Sequence, residues 1–194
     1  MGSRWAFVRC VAAVVLLAVG LAMLTPADPA ARDASLRAAA ERGDAATVGQ
    51  WLTRGASPAA RDESGRTALL AAAAAGRTAV VQLLLDRGGD VNERSGQQDT
   101  PLILAAMNGD LDVVRLLLRR GAEVDARNFA GNTALWLAVT SGRADVARAL
   151  VEGGADARVP GYRGTTPLSL AAAAGDAALR DALLVRPTPA APER

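Results

Sequence analysis

The side chains that could do chemistry in this chain form a short inventory. All 22 basic residues are Arg, His is absent, and Cys10 is the lone thiol. Without an imidazole, a lysine amine or a thiol beyond residue 10, the usual general bases and covalent nucleophiles are missing. Carboxylates and guanidinium groups remain. A pair of carboxylates can hydrolyse a glycan when the two flank the scissile bond. Glu123 with Asp125, and Asp86 with Asp90, are the candidate pairs, but they fall at helix ends and turns of a recurring pattern. Acidic residues are scattered without metal-ligand spacing, so no metal and no cofactor are expected. Gly88-Gly89 and Gly153-Gly154 read as helix terminators and not as phosphate loops. The inventory argues against an enzyme.

Arginine recurs instead. Arg61, Arg94 and Arg127 stand 33 residues apart, with Arg158 and Arg163 close behind. Such a ladder could hold carboxylates or an anionic polymer by bidentate pairing. Asp62, Glu63, Glu93 and Asp125 interleave with it, which favours a solvated, self-neutralised edge. Phe129 and Tyr162 share the spacing of 33. Aromatic side chains are enriched in interface hot spots, so this pair is a candidate anchor unless each ring lies down on its own turn.

The net charge of +2 sits wholly at the start of the chain. Before Asp28 the only charged side chains are Arg4 and Arg9, leaving 20 Arg against 20 acidic residues in the body. A balanced body has no footprint for nucleic acid. Val11 to Leu24 is an uncharged apolar run of 14 residues, followed by small residues at Thr25-Pro26-Ala27. That is the length of a signal-peptide core, short of the ~20 residues of a spanning helix. Residues 1–27 are therefore expected to be a signal peptide cut after Ala27. The alternative is an uncleaved anchor, if the stretch from Cys10 tilts across a thin bilayer. In both cases the positive flank stays inside and the body is sent across the membrane. Ala and Arg enrichment without Lys suits a GC-rich bacterial genome, so the expected location is periplasmic or secreted. With an anchor, the body would face the periplasm from the inner membrane. It must then be stable in an oxidising space without a disulfide.

The elements that position these residues follow from repetition. Thr67-Ala68-Leu69, Thr100-Pro101-Leu102, Thr133-Ala134-Leu135 and Thr166-Pro167-Leu168 recur every 33 residues. Gly43, Gly76, Gly109, Gly142 and Gly175 form a second series, and Gly55, Gly88, Gly121 and Gly154 a third. The Thr can cap a helix, and Pro suits the first turn where no donor is needed. The first Gly ends that helix in the left-handed conformation. A second helix such as Val113-Val114-Arg115-Leu116-Leu117-Leu118 supplies a buried ridge, and Trp51 aligns with its buried Leu84 and Leu117. The second Gly ends it, and about a dozen turn-rich residues return the chain to the next Thr. The pattern predicts an all-α solenoid of five helix-turn-helix-hairpin units, with a degenerate first unit from Ala34 and a last helix at Ala177 to Leu184.

These residues resemble the ankyrin repeat family. TPLILAA from Thr100 and TPLSLAA from Thr166 match its Thr-Pro-Leu-His-x-Ala-Ala signature, and GGDVN from Gly88 and GAEVD from Gly121 match Gly-Ala-Asp-Val-Asn. The domains become a signal or anchor at 1–27, an ankyrin repeat domain at 28–185 and a disordered Pro-rich tail at 186–194. The signature His is replaced by Arg37, Leu70, Ile103, Trp136 and Ser169, so its ties between loops should be lost or taken over by packing. The polar first unit reads as a cap. The resemblance implies a non-catalytic, monomeric binder of another protein, gripping it with hairpin tips and the concave face of the first helices. Membrane contact would arise only through an uncleaved N-terminus. The candidate contacts are Phe129, Tyr162, Arg94, Arg127, Arg163, Trp136, Met107 and Asn108, with Trp136 either bordering the concave face beside Met107, Asn108, Thr140 and Ser141 or filling space between helices. Scaffold, inhibitor or immunity protein, and protector of a co-localised enzyme all remain open as roles.

Overall fold

The computed structural model describes residues 28–184. The expected export segment, Cys10 and the tail from residue 186 lie outside the described residues. Among the described residues, ten α-helices make five consecutive pairs: α1 (Pro29–Arg42) and α2 (Ala45–Thr53), α3 (Ala68–Ala74) and α4 (Thr78–Asp86), α5 (Pro101–Asn108) and α6 (Leu111–Arg119), α7 (Ala134–Thr140) and α8 (Ala144–Glu152), α9 (Pro167–Ala173) and α10 (Ala177–Leu184). No strand occurs among the described residues. Odd-numbered helices stack in one layer and even-numbered helices in a second. This is the all-α repeat solenoid that the sequence predicts.

The starting Thr residues act as expected. Thr67, Thr100, Thr133 and Thr166 accept from the backbone N–H of Leu70, Ile103, Trp136 and Ser169 at 3.1–3.3 Å. Each satisfies one of the donors that a helix start leaves orphaned. Pro101 and Pro167 follow two of these caps. At the far end of α5, Gly109 takes φ +89° and returns its N–H to the Ala105 carbonyl at 3.0 Å. Only the absence of Cβ makes that conformation inexpensive.

The second layer carries the ridge. Val80, Val81 and Leu84 of α4, and Val113, Val114 and Leu117 of α6, are completely buried. Small Ala side chains, Ala72 and Ala73 in α3 and Ala105 and Ala106 in α5, let the odd-numbered helices approach one another.

Two details at the N-terminal end differ from expectation. Helix α1 begins at Pro29 and not near Ala34, because Asp28 caps it by accepting from Ala30 N at 3.0 Å. Trp51 is half-buried where its equivalents Leu84 and Leu117 are sealed. Among the described residues helix α2 has a second-layer neighbour on one side only, α4, so part of the indole stays open. The Arg54 guanidinium lies 5.3 Å from its ring centre.

Replacing Gly109 with Val should cost about 1–2 kcal/mol, because a β-branched side chain is forced into the left-handed region. The new Cβ would also come within 2.8 Å of Arg143 Cδ. Thermal unfolding by circular dichroism should show Tm lowered by several degrees. An unchanged Tm would mean that Gly109 is not a required helix terminator.

Candidate functional site

Four hairpins run along one edge, each closed by a four-residue tip. Asp62 N, Ser95 N, Asn128 N and Gly161 N donate to the carbonyls of Arg66, Asp99, Asn132 and Thr165 at 2.8–3.1 Å. The first three tips are held from within. Asp62 Oδ1 accepts from Ser64 N and Arg66 N, Ser95 Oγ from Gln97 N and Asp99 N, and Asn128 Oδ1 from Ala130 N and Asn132 N, all at 2.9–3.1 Å. Gly161 has no such acceptor. The fourth tip instead puts two consecutive residues in the left-handed region, Arg163 at φ 56° and Gly164 at φ 74°, and Thr165 N donates to the Tyr162 carbonyl at 3.3 Å. That is a type I′ turn. Phe129 and Tyr162 therefore hold equivalent places in the repeat but stand on different turns.

Successive tips are also tied to one another. Gly96 N donates to the Ser64 carbonyl at 2.9 Å and Phe129 N to the Gln97 carbonyl at 3.1 Å. At the third step the acceptor changes, and Tyr162 N donates to the side-chain Oδ1 of buried Asn132 at 2.7 Å. The aromatic side chains are left outside this network. Phe129 is 71% exposed and Tyr162 is 51% exposed, so both rings keep much of their surface in water. The Arg163 guanidinium carbon sits 5.1 Å from the Tyr162 ring centre, within cation–π range.

The arginine ladder divides in two. Arg61 Nη1 donates to the Gly65 and Arg94 carbonyls at 2.7 and 2.5 Å, and Arg94 Nη1 donates to the Arg127 carbonyl at 3.1 Å. Arg94 Nη2 also pairs with Glu123 at 3.4 Å. These two guanidinium groups clamp the first hairpin to the second and the second to the third, which leaves Arg94 fewer donors to offer a partner. Arg127 and Arg163 are exposed and form no ion pair among the described residues.

Trp136 and the pair Met107 and Asn108 are not brought together. Trp136 lies at the hairpin end of α7 and packs beneath the fourth tip, where its ring leaves no room for a Cβ at Gly161. Its Nε1 donates to Thr165 Oγ1 at 3.1 Å, and Thr165 Oγ1 donates to the Tyr162 carbonyl at 2.8 Å. With Asn132 on the other side, this chain fixes the Tyr162 backbone. Trp136 is a positioning residue here, and its hydrogen bond replaces a tie that packing alone was expected to supply. Arg37 does the same in the first unit, donating to the Ala60 carbonyl at 3.4 Å, whereas Leu70 and Ile103 are buried apolar substitutes. Met107 and Asn108 stand at the opposite end of eight-residue α5, about 12 Å along a helix axis from its cap. Met107 is 41% exposed, but Asn108 Nδ2 donates to the Ala74 carbonyl at 2.6 Å and is committed to the preceding unit.

A second feature lies beneath the first two hairpins. Glu93 is half-buried, accepts from the hydroxyl of cap residue Thr67, and borders a cavity of about 270 Å³ with Arg61, Asp90, Leu69 and Pro58. Burial raises its pKa above the ordinary 4.5, outweighing the Thr67 hydrogen bond and the Arg61 charge, while Asp90 adds to the rise. In the sequence Glu93 was only one of the acids interleaved with the arginine ladder, and Asn132 did not stand out, because both sit at variable places in the repeat.

Profiles built on known families agree with this geometry. A profile described as ankyrin repeats in three copies matches residues 36–128, and an ankyrin repeat profile matches residues 130–161. The chain belongs to the ankyrin repeat family, whose arrays are in general protein–protein interaction modules and typically non-catalytic. No curated protein matches the chain. The structure adds a fifth helix pair beyond the matched residues, α9 and α10.

Two outcomes follow. Trp136→Phe keeps the ring but removes the donor to Thr165, and should cost about 0.5–1.5 kcal/mol. An unchanged denaturant midpoint would show that the hydrogen bond carries no weight. Ionised Glu93 is held at a cost in the folded chain, so its penalty is present above the folded pKa and disappears as pH falls from there through 4.5. Glu93→Gln should therefore raise Tm at neutral pH, with the gain shrinking on acidification. A gain independent of pH would assign the effect to something other than ionisation.

Proposed function

We propose that the chain is a non-catalytic, monomeric binding module that docks another protein on its third and fourth hairpin tips, outside the cytoplasm. The observation that carries the docking site is the exposure of the Phe129 and Tyr162 rings on successive tips, whose backbones alone enter the hydrogen bonds that hold the hairpins. Rings left in water offer apolar area at little entropic cost to a partner. Arg127 and Arg163 flank them, and Met107 offers a separate, smaller contact. Export is supported by the Arg4 and Arg9 flank and the apolar run from Val11 to Leu24. The periplasm is the compartment we favour. The role there is scaffold, inhibitor or protector of a neighbouring enzyme.

The test is a tagged pull-down from the cell envelope, with intact-mass analysis of the bait. A dominant co-purifying protein and a bait beginning at Asp28 would support an exported soluble binder. A bait retaining Met1 and recovered only with membrane complexes would favour the anchored scaffold. Replacing Phe129 and Tyr162 together with Ala should reduce recovery of that partner about tenfold or more, with helical circular dichroism unchanged. Full recovery by the double variant would remove the tips from the interface.

A further inference from the structure

The hairpin edge changes character along its length. In the first tip Arg66 pairs with Asp62 at 3.2 Å, Arg61 is consumed by backbone carbonyls, and Glu63 stands exposed. The second tip sets Glu93 and Asp99 against Arg94, which is itself occupied. Residues 126–132 and 157–165 carry Arg127, Arg158 and Arg163 and no acidic residue at all. The carboxylates of the neighbouring segments already accept hydrogen bonds or pair elsewhere, although Asp125 lies close enough to Arg127 to feel its charge. Glu123 pairs with Arg94, Asp125 accepts from Asp156 N at 3.2 Å, and Asp156 accepts from Arg158 N at 2.9 Å. Among the described residues, cations whose side chains make neither an ion pair nor a backbone bond thus coincide with the exposed rings, whereas Arg61, Arg66 and Arg94 on the other half each carry one.

From this distribution, and resting on the tip-docking reading above, we infer that the partner presents an acidic segment, with carboxylates beside an apolar side chain. The apolar group covers Phe129 and Tyr162, and the carboxylates meet Arg127 and Arg163. Arg163 is prepared for that role. Lying over the Tyr162 ring, it keeps its in-plane N–H edge available for two parallel hydrogen bonds and loses less freedom on pairing. A membrane surface fits the edge less well. An anionic bilayer laid along all four tips would also press against exposed Glu63 and half-exposed Asp62 and Asp99, whereas a short segment touches only the cationic half.

The experiment pans a displayed library of random peptides on the full chain and measures the enriched peptides by fluorescence anisotropy. Enriched sequences should pair Asp or Glu with an aromatic or aliphatic residue. Arg127→Glu with Arg163→Glu should weaken them at least ~10-fold, and peptides with Lys in place of the acids should recover binding to that variant. Affinity should fall as salt is raised, because exposed pairs are screened over about 10 Å at 0.1 M. Peptides that survive the charge reversal but are lost on Phe129→Ala with Tyr162→Ala would overturn the acidic partner and leave the tip-docking site standing. Peptides indifferent to both variants would overturn both. No enrichment, together with sedimentation on phosphatidylglycerol vesicles that the same Arg reversal abolishes, would replace the acidic segment with a membrane surface. No enrichment without such sedimentation would also overturn it.

Discussion

Every part of this molecule depends on one constraint: a helix pair of this sequence cannot bury its own ridge. Val80, Val81 and Leu84 project from a nine-residue helix, too short to be stable in water alone. They reach full burial only because α2 and α6 flank α4 and the first-layer helices lie beneath it. Each such side chain contributes roughly 1.5–3 kcal/mol once sealed. Stability therefore accumulates between units, and the array is weakest where a unit has one neighbour. Half-open Trp51 shows the shortfall at one end, and exposed Ala172 and Leu184 show it at the other.

Stacking at a fixed period has a second consequence, for the polar groups of the hairpins. A hairpin projecting alone would leave one backbone edge to water. Here that edge is met by its successor, through Gly96 N on Ser64 and Phe129 N on Gln97, and by arginines reaching one unit forward. Asn92 Oδ1 accepts from Glu123 N at 2.8 Å in the same manner. These bonds consume the side chains that recur most regularly. What is free to meet a partner is what breaks the pattern: Phe129 where other units carry Glu63 or Gly96, and Arg127 and Arg163, which make no such clamp.

That explains which parts of the structure were legible in the sequence. Caps, terminators and ridges obey local rules with a period, so Thr100, Gly109 and Val113 could be placed before any coordinates. Regularity did not reveal the clamp made by Arg94, because a ladder of like charges looks the same whether it faces solvent or the next carbonyl. The fourth tip was not readable either. Its turn follows from the loss of one acceptor at Gly161, and its stability from a Trp136 indole that reaches it across 29 residues of sequence. Asx turns closed by Asp62 and Asn128 were in principle visible, and their absence at Gly161 was the signal for a different tip.

The opposite edge shows why identical stacking rules still give one register. The residue before each even-numbered helix alternates in charge along the array: Asp44, Arg77, Asp110, Arg143, Asp176. Asp110 lies between Arg77 and Arg143, and their charges partly offset the cost of its burial, which still raises its pKa. Arg77 Nε also donates to the Glu41 carbonyl at 2.9 Å, one unit back. Five units with similar apolar ridges could also be paired with the wrong neighbour, one unit being skipped. Doing so would set Arg77 against Arg143, or Asp44 against Asp110, exchanging each attractive neighbour for a repulsive one. Single pairs of this kind are worth only about 0.2–1 kcal/mol when exposed. Their importance lies in the sign, since around Asp110 the correct neighbours are favoured and a skipped neighbour of like charge would be penalised. The apolar ridge drives stacking without distinguishing its partners, and the alternating edge supplies the distinction.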